Sequence, residues 1–497
     1  MSKVVIIGSG LGGLTCGFIL QKNGYDVTIL EQGVQIGGCL QCFVRKGVKF
    51  ETGMHFIGSA LPGQTMYRMM RYFGLDKDMI LSPLDTSAYN TIAISGGEFC
   101  YPNGKEAFIE QMSGYFPHQK DNLHKYISTI NHISAASTVD SLTSATRDIA
   151  ANTEYQTRSI NEVLDSIFTD ELLKNVLVGD LPLYSAELDK TPFSQHAYIM
   201  DFYNQSSFRI VGGSDSIATS LAESITRMGG QILTRQKVVE IHCDDYKATS
   251  VQTDKEQIFE ADYVISTIHP NRLMEMLSTK LIRPAFRSRI NSIPQTASVF
   301  AVYVNFKEGR VPYMNTNFYA YPGNTPWNCE TYTLDEWPKS FLYMHMCHEE
   351  NPVWAQSAVI LAYMKMDEVE AWKGTSIGRR GSDYNSFKQD RAERLIDAVE
   401  KYKPGFRDSI ANYYTSTPLT YLDYTGTEDG SMYGVAKDIN LGPVGRVPYK
   451  TRIPNLYMAG QNVNSHGMLG VIVGTIVTCS ELVPASQIMK QIDEANA

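Results

Sequence analysis

Ten residues at the start of the chain, Val4 to Gly13, limit its fold more than any others. Val4-Val5-Ile6-Ile7 is an unbroken apolar run, and Gly8-Ser9-Gly10-Leu11-Gly12-Gly13 follows at once. The run predicts a strand buried on both faces of a parallel sheet. A helical pattern follows, with Leu11, Leu14, Phe18 and Ile19 on its inner side, and Asn23-Gly24 ends it. A second strand over 26–30 ends at Glu31. G-x-G-x-x-G alone is weak evidence, but strand–turn–helix–strand–Glu is specific for a dinucleotide. Gly8 permits the turn, Gly10 and Gly12 let the backbone approach a diphosphate, and Gly13 lets helix and strand touch. Leu11 opens the helix whose free N–H groups face the anion. Glu31, with Gln32 beside it, stands where a carboxylate accepts from a ribose.

The rest of the composition narrows the class. A chain of 497 residues exceeds what one core supports, so two or three lobes are expected. A net charge of −9 argues against a nucleic-acid partner. Eight scattered cysteines are too few for a disulfide scaffold and fit a reducing compartment. The first apolar run is too short for a signal peptide, and the stretch 469–477 is too short to span a bilayer. These features predict a cytoplasmic protein, with at most peripheral membrane contact.

The segments after Glu31 separate one dinucleotide from another. Gly37-Gly38 follows closely, then Phe50-Glu51-Thr52-Gly53-Met54-His55. A glycine pair after the ribose-binding acid resembles the extended fingerprint of glutathione-reductase-type FAD proteins. Near the other end, Asn455-Leu456-Tyr457-Met458-Ala459-Gly460-Gln461-Asn462, then Gly467 and Gly470, resembles the late strand and flavin-facing helix of that fold. The resemblance implies FAD, held in part by Val238, Gly460, Asn462, Met468 and Leu469. Asn462 stands where Asp is more usual.

A narrower resemblance emerges from Gly37-Gly38-Cys39-Leu40-Gln41-Cys42-Phe43, from Phe50 to Gly58, from Thr417-Pro418-Leu419-Thr420, from Gly430-Ser431-Met432-Tyr433-Gly434, and from Gly467-Met468-Leu469-Gly470. Together they resemble the retinol saturase branch of the phytoene desaturase and carotenoid isomerase flavoproteins. Two departures stand out: Gln41 replaces that branch's His, and the branch's secretory N-terminus is missing.

The expected fold class is α/β, a discontinuous Rossmann-like FAD domain of glutathione-reductase type with a mixed α+β substrate lobe. Residues 1–75, 205–275 and 445–497 are assigned to the FAD domain, and 76–204 and 276–444 to the lobe. The piece 76–204 reads as largely helical, with a polar stretch over 134–157. Helices are expected over 216–228 and 391–403, and buried strands over 237–242 and 262–267.

Each candidate site has a plainer reading beside it. Cys39 and Cys42 form a C-x-x-C, but no second pair completes a zinc site, so a reduced packing pair is expected and no metal. His55 and His466 flank the expected flavin position, as proton donors or as hydrogen-bonding supports. Tyr433 is a third candidate, as pocket wall or donor. The Met- and Tyr-rich stretch 66–73 between Arg68 and Arg71 reads as an apolar face toward a membrane or substrate entrance, or as core packing. No second glycine fingerprint exists, so no NAD(P)H domain is expected, and NAD(P)H is left open as an external electron donor.

The resemblance implies an FAD-dependent oxidoreductase acting on C=C/C–C bonds of an apolar polyene or isoprenoid lipid, as a saturase first. Desaturation or isomerisation of the same substrates, amine-oxidase-type C–N oxidation, and a non-catalytic prenyl or lipid carrier are the alternatives.

Overall fold

A computed structural model describes residues 1–135 and 154–497. The polar stretch 134–157 falls mostly outside them. The first strand, Lys3–Ile7, lies at the centre of a five-stranded sheet. On one side it pairs with Asp26–Leu30, which pairs with Gln231–Leu233. On the other it pairs with Tyr263–Ser266, which pairs with Leu456–Met458, and every pairing is parallel. Side chains alternate across a strand, so Val4 and Ile6 enter one apolar cluster and Val5 and Ile7 another. Burial on both faces is why the run carries no polar residue.

Helices Leu11–Lys22, Asp215–Arg227 and Met468–Cys479 pack on one face of this sheet. The other face is covered by a three-stranded antiparallel sheet, Val238–Cys243, Ala248–Thr253 and Ile258–Glu260.

A seven-stranded sheet makes the second lobe. Its order is Ile410–Ser416, Ser298–Phe306, Ser357–Met364, Phe341–His345, Asn317–Tyr321, Asn90–Ile94, Gly97–Tyr101. Only the pairing of Asn317–Tyr321 with Asn90–Ile94 is parallel. The described part of 76–204 is largely helical, as expected, but it also gives this sheet a hairpin that the helical reading did not include. Thr91, Ile92 and Ile94 favour a strand, and Ser95-Gly96, both with positive φ, turn it into a hairpin. The helix expected over 391–403 begins at Gly381, because Tyr384 and Phe387 pack on Trp372 at centroid distances of 5.2 and 5.3 Å.

The stretch 66–73 lies in helix Thr65–Phe73, and its apolar face is core. Met66, Met69, Met70, Tyr72 and Phe73 are all buried, and Phe18 meets both aromatic rings edge-on. Arg68 is tied to Asp493 of the C-terminal helix at 2.6 Å. That face is closed to a membrane or an entering substrate. Among the described residues no helix is long and apolar enough to cross a membrane.

Candidate functional site

The two ends of the chain meet at one cavity of about 760 Å³. Gly8, Gly10, Gly12, Glu31 and Gly38 wall it from the N-terminal side, Gly460, Asn462 and Met468 from the C-terminal side. The meeting is close. A Cβ on Gly12 would lie 3.0 Å from the Gly460 Cα, and Thr15 Oγ1 donates to Thr475 Oγ1 at 3.1 Å.

Each fingerprint residue has a distinct geometric job. Gly8 takes φ +98°, open to glycine at no steric cost. A Cβ on Gly13 would sit 1.9 Å from the Gly8 carbonyl oxygen. Gly13 is therefore the packing residue the fingerprint predicts, where helix and strand touch beneath the turn; grouped with the cofactor-binding glycines, it is corrected here in that it does not wall the cavity. A Cβ on Gly10 would meet nothing within 4 Å, because that side is open space. Gly10 also caps helix Leu11–Lys22 with no side-chain hydrogen bond, so the helix's first N–H groups stay free for an anion. The Glu31 carboxylate is oriented by Ser9, whose N–H and Oγ donate to Oε2 at 3.0 and 2.6 Å, and by Gly33 N–H, which donates to Oε1 at 2.7 Å. Ser9 is a functional residue the fingerprint hides, since the pattern leaves its position free. Gln32, Gly37 and Val238 also line the cavity.

At the C-terminal side the structure separates the expected residues. Helix Met468–Cys479 starts after Gly467 with no side-chain cap, and Met468 is in the cavity wall. Leu469 is not; it packs against the apolar core. Asn462 lines the cavity, but its Oδ1 accepts from Val435 N–H at 2.9 Å. A neutral amide here fastens the 434–435 turn, and a Cβ on Gly434 would sit 2.0 Å from that oxygen.

The three candidate proton carriers occupy different layers. His55 is buried in the cavity wall, its Nδ1 3.6 Å from Glu51 Oε2. Tyr433 is also in the wall, and its hydroxyl donates to the Pro182 carbonyl at 3.3 Å. Burial pushes that phenol's pKa up. His466 lies behind Tyr433, the rings stacked at 4.5 Å, and it lines a separate small pocket with Lys437. Burial, reinforced by Lys437, lowers its pKa to about 3, so it is neutral at pH 7. His466 therefore supports the wall; the direct approach to the flavin expected of it is blocked by a ring.

Beyond the dinucleotide end, the seven-stranded sheet supplies Val299, Leu342, Met344 and Leu361 to the cavity, with Phe56, Tyr203 and Tyr421. No local motif marks these positions, because they converge from distant strands and helices. Cys39 lines the cavity and Cys42 lies beneath it; both are free thiols. Burial raises both pKa values, Cys42 to about 12, which keeps them protonated and poorly nucleophilic. No cluster of three or more His, Cys, Asp or Glu suited to a metal occurs among the described residues.

An uncapped helix N-terminus, an open glycine and an oriented carboxylate at one cavity fit the diphosphate and ribose of FAD. Fold and site together define a Rossmann-type flavoprotein. The chain matches the family described as flavin containing amine oxidoreductase over residues 11–375, and it belongs to that family. FAD is its cofactor, and it is an FAD-dependent oxidoreductase. It is similar to all-trans-retinol 13,14-reductase of Homo sapiens, with 26% identity over 96% of this chain and 85% of that protein. It is also similar to a chloroplastic prolycopene isomerase of an Oncidium hybrid cultivar, with 22% identity over 92% and 79% of the two chains. A triple mutant of putrescine oxidase shares the fold, with a TM-score of 0.64 at 15% identity over 99% of both chains.

Proposed function

We propose that this protein saturates a C=C bond in an apolar polyene or isoprenoid lipid. Bound FAD supplies hydride chemistry at this site. The chain's own residues orient the substrate, exclude water and hold the proton that completes the addition. Desaturation or isomerisation of the same substrates uses the same site, and the electron donor or acceptor sets the direction; NAD(P)H is one such donor. The names of the relatives, a retinol reductase and a prolycopene isomerase, support this substrate class.

One observation carries the reading: among the described residues, no carboxylate of the cavity wall is free for an ammonium group. Glu31 accepts from Ser9 and Gly33, Glu275 is paired with Arg272 at 2.9 Å, and Asp423 is paired with Arg380. The sheet contributes Val299, Leu342, Met344 and Leu361 there, and one phenol, Tyr363. A cationic amine would lose its hydration with aromatic faces such as Tyr203, Tyr421 and Tyr433 as partners but no carboxylate to neutralise it, so the wall favours an uncharged substrate over C–N oxidation. A lipid carrier has no need of a preserved ribose-binding carboxylate and open Gly10.

An apolar substrate arrives most readily from a membrane surface. Gly374, Thr375 and Tyr424 line the cavity and are solvent-exposed, and Ile377 beside them is 57% exposed. We place peripheral contact there, on a protein otherwise in the cytoplasm.

The test is anaerobic. The bound flavin is bleached chemically and offered polyenes, enones, amines and quinones in turn. Polyenes are expected to restore the oxidised flavin spectrum and to gain two hydrogen atoms. Reoxidation by quinones alone points to desaturation, and aerobic turnover of amines with peroxide release overturns the reading.

A further inference from the structure

Resting on that reading, we infer that Glu51 is a positioning residue that makes His55 the proton donor. Glu51 ends strand Val48–Glu51, which forms a hairpin with Cys42–Arg45, and His55 follows four residues later. Both side chains are more than nine-tenths buried. Glu51 Oε1 and His55 Nδ1 have no hydrogen-bond partner among the described residues. Leaving a buried carboxylate and a buried imidazole nitrogen both unsatisfied is costly. A proton on Nδ1, directed along the 3.6 Å line to Oε2, gives the imidazole nitrogen a partner and sets a donor against the buried carboxylate.

The backbone holds this arrangement in place. Arg209, fully buried, donates from Nη1 to the His55 carbonyl at 3.1 Å. With Nδ1–H committed to Glu51, the exchangeable proton of the charged ring is on Nε2, and His55 is part of the cavity wall.

The other charged and titratable groups around Glu51 are otherwise engaged. Lys49, on its own strand, is bound to Asp215 at 2.9 Å. Cys42 comes from the paired strand of the hairpin, its thiol held protonated by burial. Cys347 and His348 come from the far side; burial raises the first and lowers the second, and His348 is hydrogen-bonded to Ser357 at 2.7 Å. The two terminal nitrogens of Arg209 donate to the His55 and Thr316 carbonyls, and its Nε has no hydrogen-bond partner among the described residues.

The rival donors are worse placed. The Tyr433 proton is directed at a backbone carbonyl, and His466 is screened by Tyr433. In the step itself, the Nε2–H bond breaks and a C–H bond forms at the alkene carbon next to the one that receives hydride. The hydride and the alkene's π pair supply the electrons for the two new C–H bonds. His55 is left neutral with Nδ1–H on Glu51, and solvent returns the proton. A reduced nicotinamide or another two-electron donor restores the hydride.

The experiment uses the FAD-loaded protein and two readouts. In single turnovers with a conjugated polyene that the wild type reduces, Glu51→Gln is expected to slow saturation roughly 100-fold at saturating substrate. Its flavin spectrum and polyene affinity should stay unchanged. Separately, ¹⁵N-histidine spectra over a pH series, with His55→Asn assigning the resonance, should show the wild-type ring protonated on both nitrogens at low pH and as the Nδ1–H tautomer once it has lost one proton. Glu51→Ala should lose that tautomer while still binding FAD. An Nε2–H tautomer in the wild type, or Glu51→Gln reducing the polyene at the wild-type rate, overturns the inference. If the wild type reduces no alkene, the proposed reaction and the donor role fall together, and the tautomer alone decides the Glu51–His55 pairing.

Discussion

The ring of Tyr433 lies nearly flat on the imidazole of His466, centroids 4.5 Å apart and planes 26° apart. A phenol that walls the cavity is thus backed by a histidine that never reaches it. The imidazole's other neighbours are the Gln195 amide, 3.4 Å from Nε2, and Lys437, whose own pKa burial lowers to about 8, so a charge on His466 would face a cation.

That repulsion predicts acid lability. His466 has a folded pKa of about 3, below its usual 6.5, because of burial. The unfolded chain therefore takes up a proton first as pH falls. The stabilisation is complete above pH 6.5 and is lost progressively between 6.5 and 3. His466→Gln, which cannot take that proton, should be less stable than wild type at pH 7, with the difference shrinking by about 2 kcal/mol at pH 5. Urea unfolding at the two pH values measures this, and an unchanged difference would count against a neutral buried His466.

Two neighbouring glycines should fail in different ways. Gly10→Ala places its methyl group in open cavity, so the apo protein should keep its stability within about 0.5 kcal/mol. FAD affinity should fall at least about tenfold, because the methyl group occupies space the diphosphate approaches. Gly13→Ala places its methyl group 1.9 Å from the Gly8 oxygen, and should cost about 1–3 kcal/mol of apo stability as well. Denaturation of the apo forms together with flavin fluorescence titration separates the two; equal apo stability would contradict the packing assigned to Gly13.

Asp180 is a buried carboxyl among Tyr89, Tyr101, Tyr126, Tyr184, Tyr203 and Tyr319, and burial raises its pKa to about 7. Here the sign is opposite to that of a paired carboxylate. The unfolded chain loses this proton near pH 3.8, so stability falls as pH rises from about 4 to about 7 and stays reduced above that. Asp180→Asn removes the penalty. Its melting temperature is expected to exceed that of wild type at pH 8 and to converge with it near pH 4. A variant less stable than wild type at pH 8 would mean that the carboxylate is stabilised by contacts its burial does not suggest.

Much of the first lobe was legible because its signals are local. Strand Asp26–Leu30 and helix Leu11–Lys22 end where Glu31 and Asn23-Gly24 predict. The fingerprint glycines read correctly one by one, Gly10 toward the diphosphate and Gly13 between helix and strand, and the structure adds which backbone atom Gly13 meets, the Gly8 carbonyl oxygen. In the second lobe the hairpin of Asn90–Ile94 and Gly97–Tyr101 escaped notice, although Ser95-Gly96 marked its turn. The apolar wall escaped for a deeper reason. Val299, Leu342 and Leu361 are ordinary strand residues, and only the strand order of the seven-stranded sheet brings them to one surface. His466 and Leu469 illustrate the same limit at close range. Their position beside Met468 was clear, but which of them faces the cavity depends on Tyr433 and on the helix's rotation.

The pairing of Leu456–Met458 with Tyr263–Ser266 has a consequence for biosynthesis. While the ribosome is still adding the residues between Ser266 and Leu456, the nascent central sheet has one bare edge and only half of its nucleotide cradle. Complete capture of FAD must therefore wait until Leu456–Met458 and the helix after it have been made, which makes loading a late step and leaves the Tyr263–Ser266 edge open to wrong pairing until then.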